Sequence, residues 1–335
     1  MYELLGIILT LAALLSLNAL ASLAASLVWR FVVSPLMCDQ PAVRRGQVLF
    51  ALRVLPPACA LACVSLLILP AYIHHEPRST PEEEVSGKLI MLASLSAVGI
   101  ALAAWRGLAS WLATRRLVRG WMRGAVPVRL KGIDVPAYRI RHAFPLIGLV
   151  GIWRPRLFVA GQVFETLTEE EMAAAVAHET GHLRAHDNLR RALIRACRDA
   201  LCIIPCGRSL DAGWRQASEA AADEYAARGG RTVALDLAAA LIKVARLVPE
   251  GAKPAVVPAS LFIGEREEGV AERVERLLNI ASRGGSAKGR SGLLLSLLSW
   301  GFLSALLVLS LTAASHPETL PKTHAAIEHA VWFLQ

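Results

Sequence analysis

The sequence predicts a mostly α membrane protein in which four transmembrane helices carry an α+β cytoplasmic domain with a small sheet. Three observations lead there. Hydrophobic residues fill 55% of the 335 positions and mean hydropathy is +0.46, whereas a soluble domain holds about 45–50% apolar residues even counting glycine. Those residues gather into long runs nearly free of charge. From about Thr114 to Arg290 the composition changes to that of a soluble domain.

The first run, Leu4 to Trp29, is uncharged between Glu3 and Arg30. At about 1.5 Å per residue it is long enough to cross a bilayer with some tilt. It lacks the basic start of a signal peptide and exceeds the usual apolar length of one, so it reads as a retained span. A basic loop follows, with Arg30, Arg44 and Arg45 against Asp39. The second run, about Val48 to Ile73, has Arg53 near its start and Pro56-Pro57 within it, where a kink is expected. The loop from His74 to Gly87 is acidic through Glu76, Glu82, Glu83 and Glu84. The third run, about Lys88 to Ala113, leads into Arg115, Arg116, Arg119 and Arg123. A fourth, Gly292 to Ser315, is uncharged.

Basic loops stay on the cytoplasmic side of a bacterial inner membrane. The first loop and the segment after the third run are therefore cytoplasmic, and the acidic loop and N-terminus lie outside. The domain plan is three spans in 1–113, a cytoplasmic domain in 114–290, a fourth span in 291–315 and a short extracytoplasmic tail in 316–335. The net charge of +9 belongs to these membrane-flanking arginines, so the lipid bilayer is the expected partner and nucleic acid is not. The six cysteines form no C-x-x-C pair. Cys59 and Cys63 fall in a span, and Cys197, Cys202 and Cys206 read as reduced structural thiols.

Within the soluble stretch, Val126–Leu130, Ala137–Arg141, Pro145–Gly151 and Arg156–Phe164 read as short strands. The last leads into a helix over Thr168 to Arg191. Thr168 and Glu171 make a capping box, and Glu169 and Glu170 suit the positive end of the helix dipole. This helix contains His178-Glu179-Thr180-Gly181-His182. Residues four apart stack on one helical face, so His178 and His182 can aim imidazole nitrogens at one metal ion. Glu179 flanks the same place and can deprotonate a water there. Gly181 in mid-helix costs about 1 kcal/mol against alanine, which a close-packed neighbour would explain.

A catalytic zinc takes three protein ligands and keeps one position open. His186 lies one turn on, but one straight helix cannot wrap three turns round a tetrahedral ion. Glu219 is the better third ligand. It lies in a separate helix, SLDAGWRQASEAAADEYAAR, which Gly229-Gly230 ends. Asp223, four residues on, shares its face and can accept a hydrogen bond from a ligand imidazole. Asp211 and Glu224 are rivals that face other ways, and His186 and Asp187 suit supporting roles. Thr232 to Val248 and the charged, amphipathic Glu265 to Ser282 complete the helices.

HETGH followed by a helix bearing E-A-A-A-D resembles the integral-membrane gluzincins, which include the heat-shock membrane proteases and the prenyl-protein proteases. The longer stretches AHETGHLRAHDNLRR, SEAAADEYAAR and ERVERLL resemble the BlaR/MecR-type antirepressor metalloproteases more than those two groups. That resemblance implies a zincin-like catalytic domain with one zinc ion per chain on His178, His182 and Glu219, and Glu179 as general base. It also implies cleavage of a cytoplasmic protein, in the sensors a transcriptional repressor, and hence a role in signal transduction. The chain departs from those sensors after the fourth run, where no penicillin-binding domain follows. The expected partners are a protein or peptide substrate and the bilayer, and a homo-oligomer is compatible with the sequence. The rival expectation is a membrane scaffold that keeps the metal site without cutting.

Overall fold

The computed structural model describes residues 2–77, 85–201, 207–248, 269–282, 312, 316 and 318–334. Among them, three helices are long and apolar enough to cross a membrane: α1 (Tyr2–Leu36), α2 (Ala42–His75) and α3 (Gly87–Met122). The expected fourth span, apart from residue 312, and Cys202 and Cys206 lie outside the described residues.

These helices hold 35, 34 and 36 residues, or roughly 50 Å each, while a bilayer core needs about 30 Å. Each therefore has some length to spare. α3 runs unbroken past Ala113, and Val118, Trp121 and Met122 near its end pack against the sheet core. α1 and α2 each contain one wide, π-helical turn, at Trp29–Val33 and Val64–Ile68. A proline follows each two residues later, Pro35 and Pro70. Proline lacks an N–H and crowds the carbonyl four residues back, and a wider turn relieves both defects. Pro56 and Pro57, where a kink is expected, sit inside continuous helix.

The sheet comprises β1 (Val126–Val128), β2 (Ala137–Ile140), β3 (Ile147–Val150) and β4 (Arg156–Ala160), in the spatial order β1-β2-β4-β3. β2 and β4 are parallel, and the outer pairs are antiparallel. β4 is thus internal, and β3 is an edge. The strand expected to reach Phe164 stops at Ala160, where α4 (Gly161–Thr166) begins. Ala160 pairs with Ile140, the last residue of β2, so a longer β4 would have no ladder partner on that side.

α5 (Glu169–Arg184) and α6 (Asp187–Ala200) follow, then α7 (Arg208–Ala227), α8 (Arg231–Arg246), α9 (Val270–Ser282) and α10 (Thr319–Leu334). One core lies between the sheet and α5, around Phe158, Val163, Met172 and Val176. A second joins α5, α7, α8 and α9 through small residues such as Ala174, Ala226 and Ala234. A third seats Trp214 and Leu210 of α7 on Leu49 of α2. α7 is therefore sandwiched between the motif helix and the second apolar helix.

Candidate metal centre

α5 begins as its local sequence requires. Thr168 Oγ1 accepts from the Glu171 N–H at 3.3 Å, and Glu171 Oε2 accepts from the Thr168 N–H at 2.9 Å. The apolar face then carries the motif into the interior, where His178 is fully buried and Glu179 is 2% exposed. The helix does not continue to Arg191. It ends at Ala185, and the exposed His186 takes a left-handed conformation with φ 54° before α6 starts at Asp187. That corner swings Asp187 back beneath the motif. Its Oδ2 lies 2.7 Å from His182 Nδ1 and accepts from Ser218 Oγ at 2.6 Å.

α7 crosses α5 at Gly181. A Cβ there would lie 3.1 Å from Ala222 Cα and 3.3 Å from Tyr225 Cβ, so the glycine marks the close approach of the helix that bears Glu219. The crossing brings Asp223 Oδ1 to 2.8 Å from His178 Nδ1. Each imidazole thus has a carboxylate at Nδ1. Aspartate accepts only, so the proton sits on Nδ1 and Nε2 is turned inward. The two Nε2 atoms are 3.1 Å apart. Glu219 Oε2 lies 3.7 Å from His178 Nε2, and Glu219 Oε1 lies 3.6 Å from His182 Nε2.

Two imidazole nitrogens and a carboxylate, all within 4.8 Å of one another, form a set that zinc accepts. Tetrahedral ligands at about 2.0–2.2 Å from zinc are roughly 3.4 Å apart, close to the three separations here. Glu179 Oε1 is buried with no hydrogen-bond partner among the described residues, and Glu219 Oε2 has only an ion-pair contact with Arg273 at 3.3 Å, which fits a cation and a water between them. Electrostatics agree. Burial alone would lower His182, but Glu219 and then Asp187 raise it to about 9, so these carboxylates favour positive charge at His182. Burial pushes His178 down to about 4, against the pull of Asp223. Burial would raise Asp223, yet Arg273 and the His178 N–H hold it far below the usual carboxylate range.

Glu179 faces the edge strand. Its Oε2 accepts from the Leu149 N–H of β3 at 3.1 Å. Burial raises its carboxyl to about 7. Asn188 donates to the carbonyls of Leu149 and Gly151 at 3.2 and 2.9 Å, tying the same strand to α6.

Arg273 of α9 is the residue that motif reading overlooks. It is 7% exposed and bonds Asp223 through Nε at 3.1 Å and Nη2 at 2.6 Å. Its Nη1 also reaches Glu219 Oε2 at 3.3 Å. The signal was available: Arg273, Leu277 and Ala281 share the buried stripe of α9 at four-residue spacing. The rival acids are engaged elsewhere. Asp211 Oδ1 accepts from Arg53 Nε at 2.8 Å, and Glu224 Oε1 accepts from the Ala42 N–H at 3.1 Å.

Residues 149–248 match Peptidase family M48, whose members are zinc metallopeptidases. The match begins in β3 and ends just after α8, so it takes in Glu179, both histidines, Glu219 and Asp223 but not Arg273. It supports a metallopeptidase of this family. No curated protein matches the chain.

Proposed function

We propose that the chain is a membrane-embedded zinc endopeptidase that cuts a cytoplasmic or membrane protein. In this reading His178, His182 and Glu219 hold the metal, and Glu179 is the catalytic base. One observation carries it: two inward-facing imidazoles on α5, each backed by its own carboxylate, meet the Glu219 carboxylate of α7 within ligand distance.

Zinc, when bound, acidifies water towards a pKa of about 7 and polarises a peptide carbonyl. The rest of the chemistry belongs to the chain. The Leu149 N–H fixes Glu179 Oε2, which leaves Oε1 to take the proton from the attacking water. The Glu179 carboxyl can then pass that proton to the leaving amide nitrogen. Asp223 and Asp187 orient the imidazoles by holding Nδ1–H. Arg273 neutralises Asp223 and fixes it in place.

The three apolar helices support a membrane protein. From the charge of the loops we infer that the catalytic domain faces the cytoplasm. The resemblance to antirepressor proteases makes a regulatory protein such as a repressor the favoured substrate. The test is cleavage of cytosolic and membrane proteins by purified full chain loaded with zinc. Glu179→Gln should abolish cleavage, by at least about 1,000-fold, while the zinc that His178→Ala removes stays bound. Cleavage surviving in Glu179→Gln would refute the assigned base. Full zinc occupancy with no product from the unaltered chain would favour a non-cutting scaffold.

A further inference from the structure

We propose a second divalent-cation site, built from Glu76, His324 and Glu328, where α10 docks on the end of α2. It stands apart from the centre on α5. α2 meets α7 near its other end, through Ala42, Leu49 and Arg53, and the 34 residues of α2 span roughly 50 Å.

The site is assembled from two elements. His324 and Glu328 are four residues apart on α10 and so share one face. Glu76 follows the last residue of α2, where its N–H bonds the Tyr72 carbonyl at 3.0 Å. One nitrogen and two carboxylate oxygens, one atom from each residue, lie within 4.8 Å of one another. His75 adds a second imidazole, its ring centre 5.9 Å from that of His324.

His324 Nδ1 is buried and has no hydrogen-bond partner among the described residues. The nearest carboxylate oxygen, Glu76 Oε2, is 3.9 Å away, too far for a hydrogen bond. It is near the roughly 3.4 Å that separates two ligands of one tetrahedral zinc. The side chains of Glu76 and His324 are 8% and 20% exposed, so both are largely withdrawn from solvent at this contact. Glu328 is exposed, which leaves one side open for an ion to arrive. A nitrogen with two carboxylates suits zinc or a similar borderline cation. Calcium and magnesium take oxygen throughout. Bound there, the ion would pin α10 to α2.

The experiment is zinc binding to the full chain in detergent micelles, counted per chain and titrated. We expect two zinc ions per chain. His324→Ala should remove one and leave both proteolysis and the other ion intact, and His178→Ala should remove only the other. Glu76→Gln with Glu328→Gln should weaken the second site at least tenfold. Hydrogen exchange in 319–334 should slow with zinc in the unaltered chain and not in His324→Ala. Unchanged zinc content and affinity in His324→Ala overturns the site. If His324→Ala disturbs folding, both ions are lost together. Glu328→Gln, on an exposed side chain, then decides, and unchanged affinity there overturns the site equally. Loss of an ion in His324→Ala but none in His178→Ala would uphold this site and refute the proposed catalytic centre.

Discussion

Asp223 and Arg273 show how much of the candidate centre rests on groups packed behind its imidazoles. Asp223 is fully buried and Arg273 nearly so, and each makes the other tolerable. Removing one member of such a pair costs up to about 3–5 kcal/mol, and Asp223 would keep only the partly exposed Arg276, 3.5 Å away, beside His178. Arg273→Leu should therefore lower the thermal midpoint by several degrees, read by unfolding of the detergent-solubilised chain. It should also loosen zinc, since Asp223 would be held against His178 by Arg276 alone. Asp187→Asn tests the other imidazole. An amide can still bond Nδ1 but presents no charge, and loss of such a partner weakens metal binding about 10–100-fold. Zinc titration reads this directly, and an unchanged affinity would mean that Asp187 serves the α5–α6 corner alone.

At the scale of elements, the two helices of the centre are set by their closest approach. Alanine normally gains about 1 kcal/mol over glycine within a helix. At Gly181 that gain meets a Cβ placed 3.1 Å from Ala222 Cα, and overpacking costs typically 1–3 kcal/mol. Gly181→Ala should come out destabilising, and zinc affinity should fall because α7 and Glu219 are pushed outward. A stabilised variant with unchanged affinity would show that the crossing can slide. This crossing also marks what was legible beforehand. The capping box, the i, i+4 histidines and the Glu219–Asp223 spacing are short-range patterns, and sequence shows them. The break at His186 was not legible, because Asp187 is drawn into place by His182 and Ser218 across the fold. The turn into α4 at Gly161 escaped for a similar reason. Arg156 to Phe164 reads as strand by composition, and only the end of β2 at Ile140 stops it. Arg273 was hidden because a charged residue on an amphipathic helix is usually solvated.

Across the whole molecule, the centre is anchored to the apolar helices through the far side of α7. Leu49 of α2 packs on Trp214, and Arg53 of α2, 1% exposed, bonds Asp211 at 2.8 Å. α6 is joined to α3 by Arg106 and Asp199 at 2.9 Å, and by a contact so close that a Cβ on Gly99 would strike the Ala200 carbonyl. Burial pushes the Asp211 carboxyl above its ordinary range even with Arg53 against it. The pair therefore adds little net stability, and its breakage is what would be felt. Arg53→Met should destabilise the chain by about 3–5 kcal/mol, since Asp211 is left buried without its partner. Arg53→Met with Asp211→Leu should recover most of that, because apolar groups of similar size can replace a buried pair. The informative readout is zinc affinity beside thermal unfolding. α7 presents Asp211 and Trp214 to α2 and Glu219 to the histidines, so a shift on one face moves the other. The single variant should lose zinc affinity and the double regain it. A fall in the thermal midpoint with zinc affinity untouched would separate the two faces, and the apolar helices would then be an anchor with no hold on the geometry of the centre.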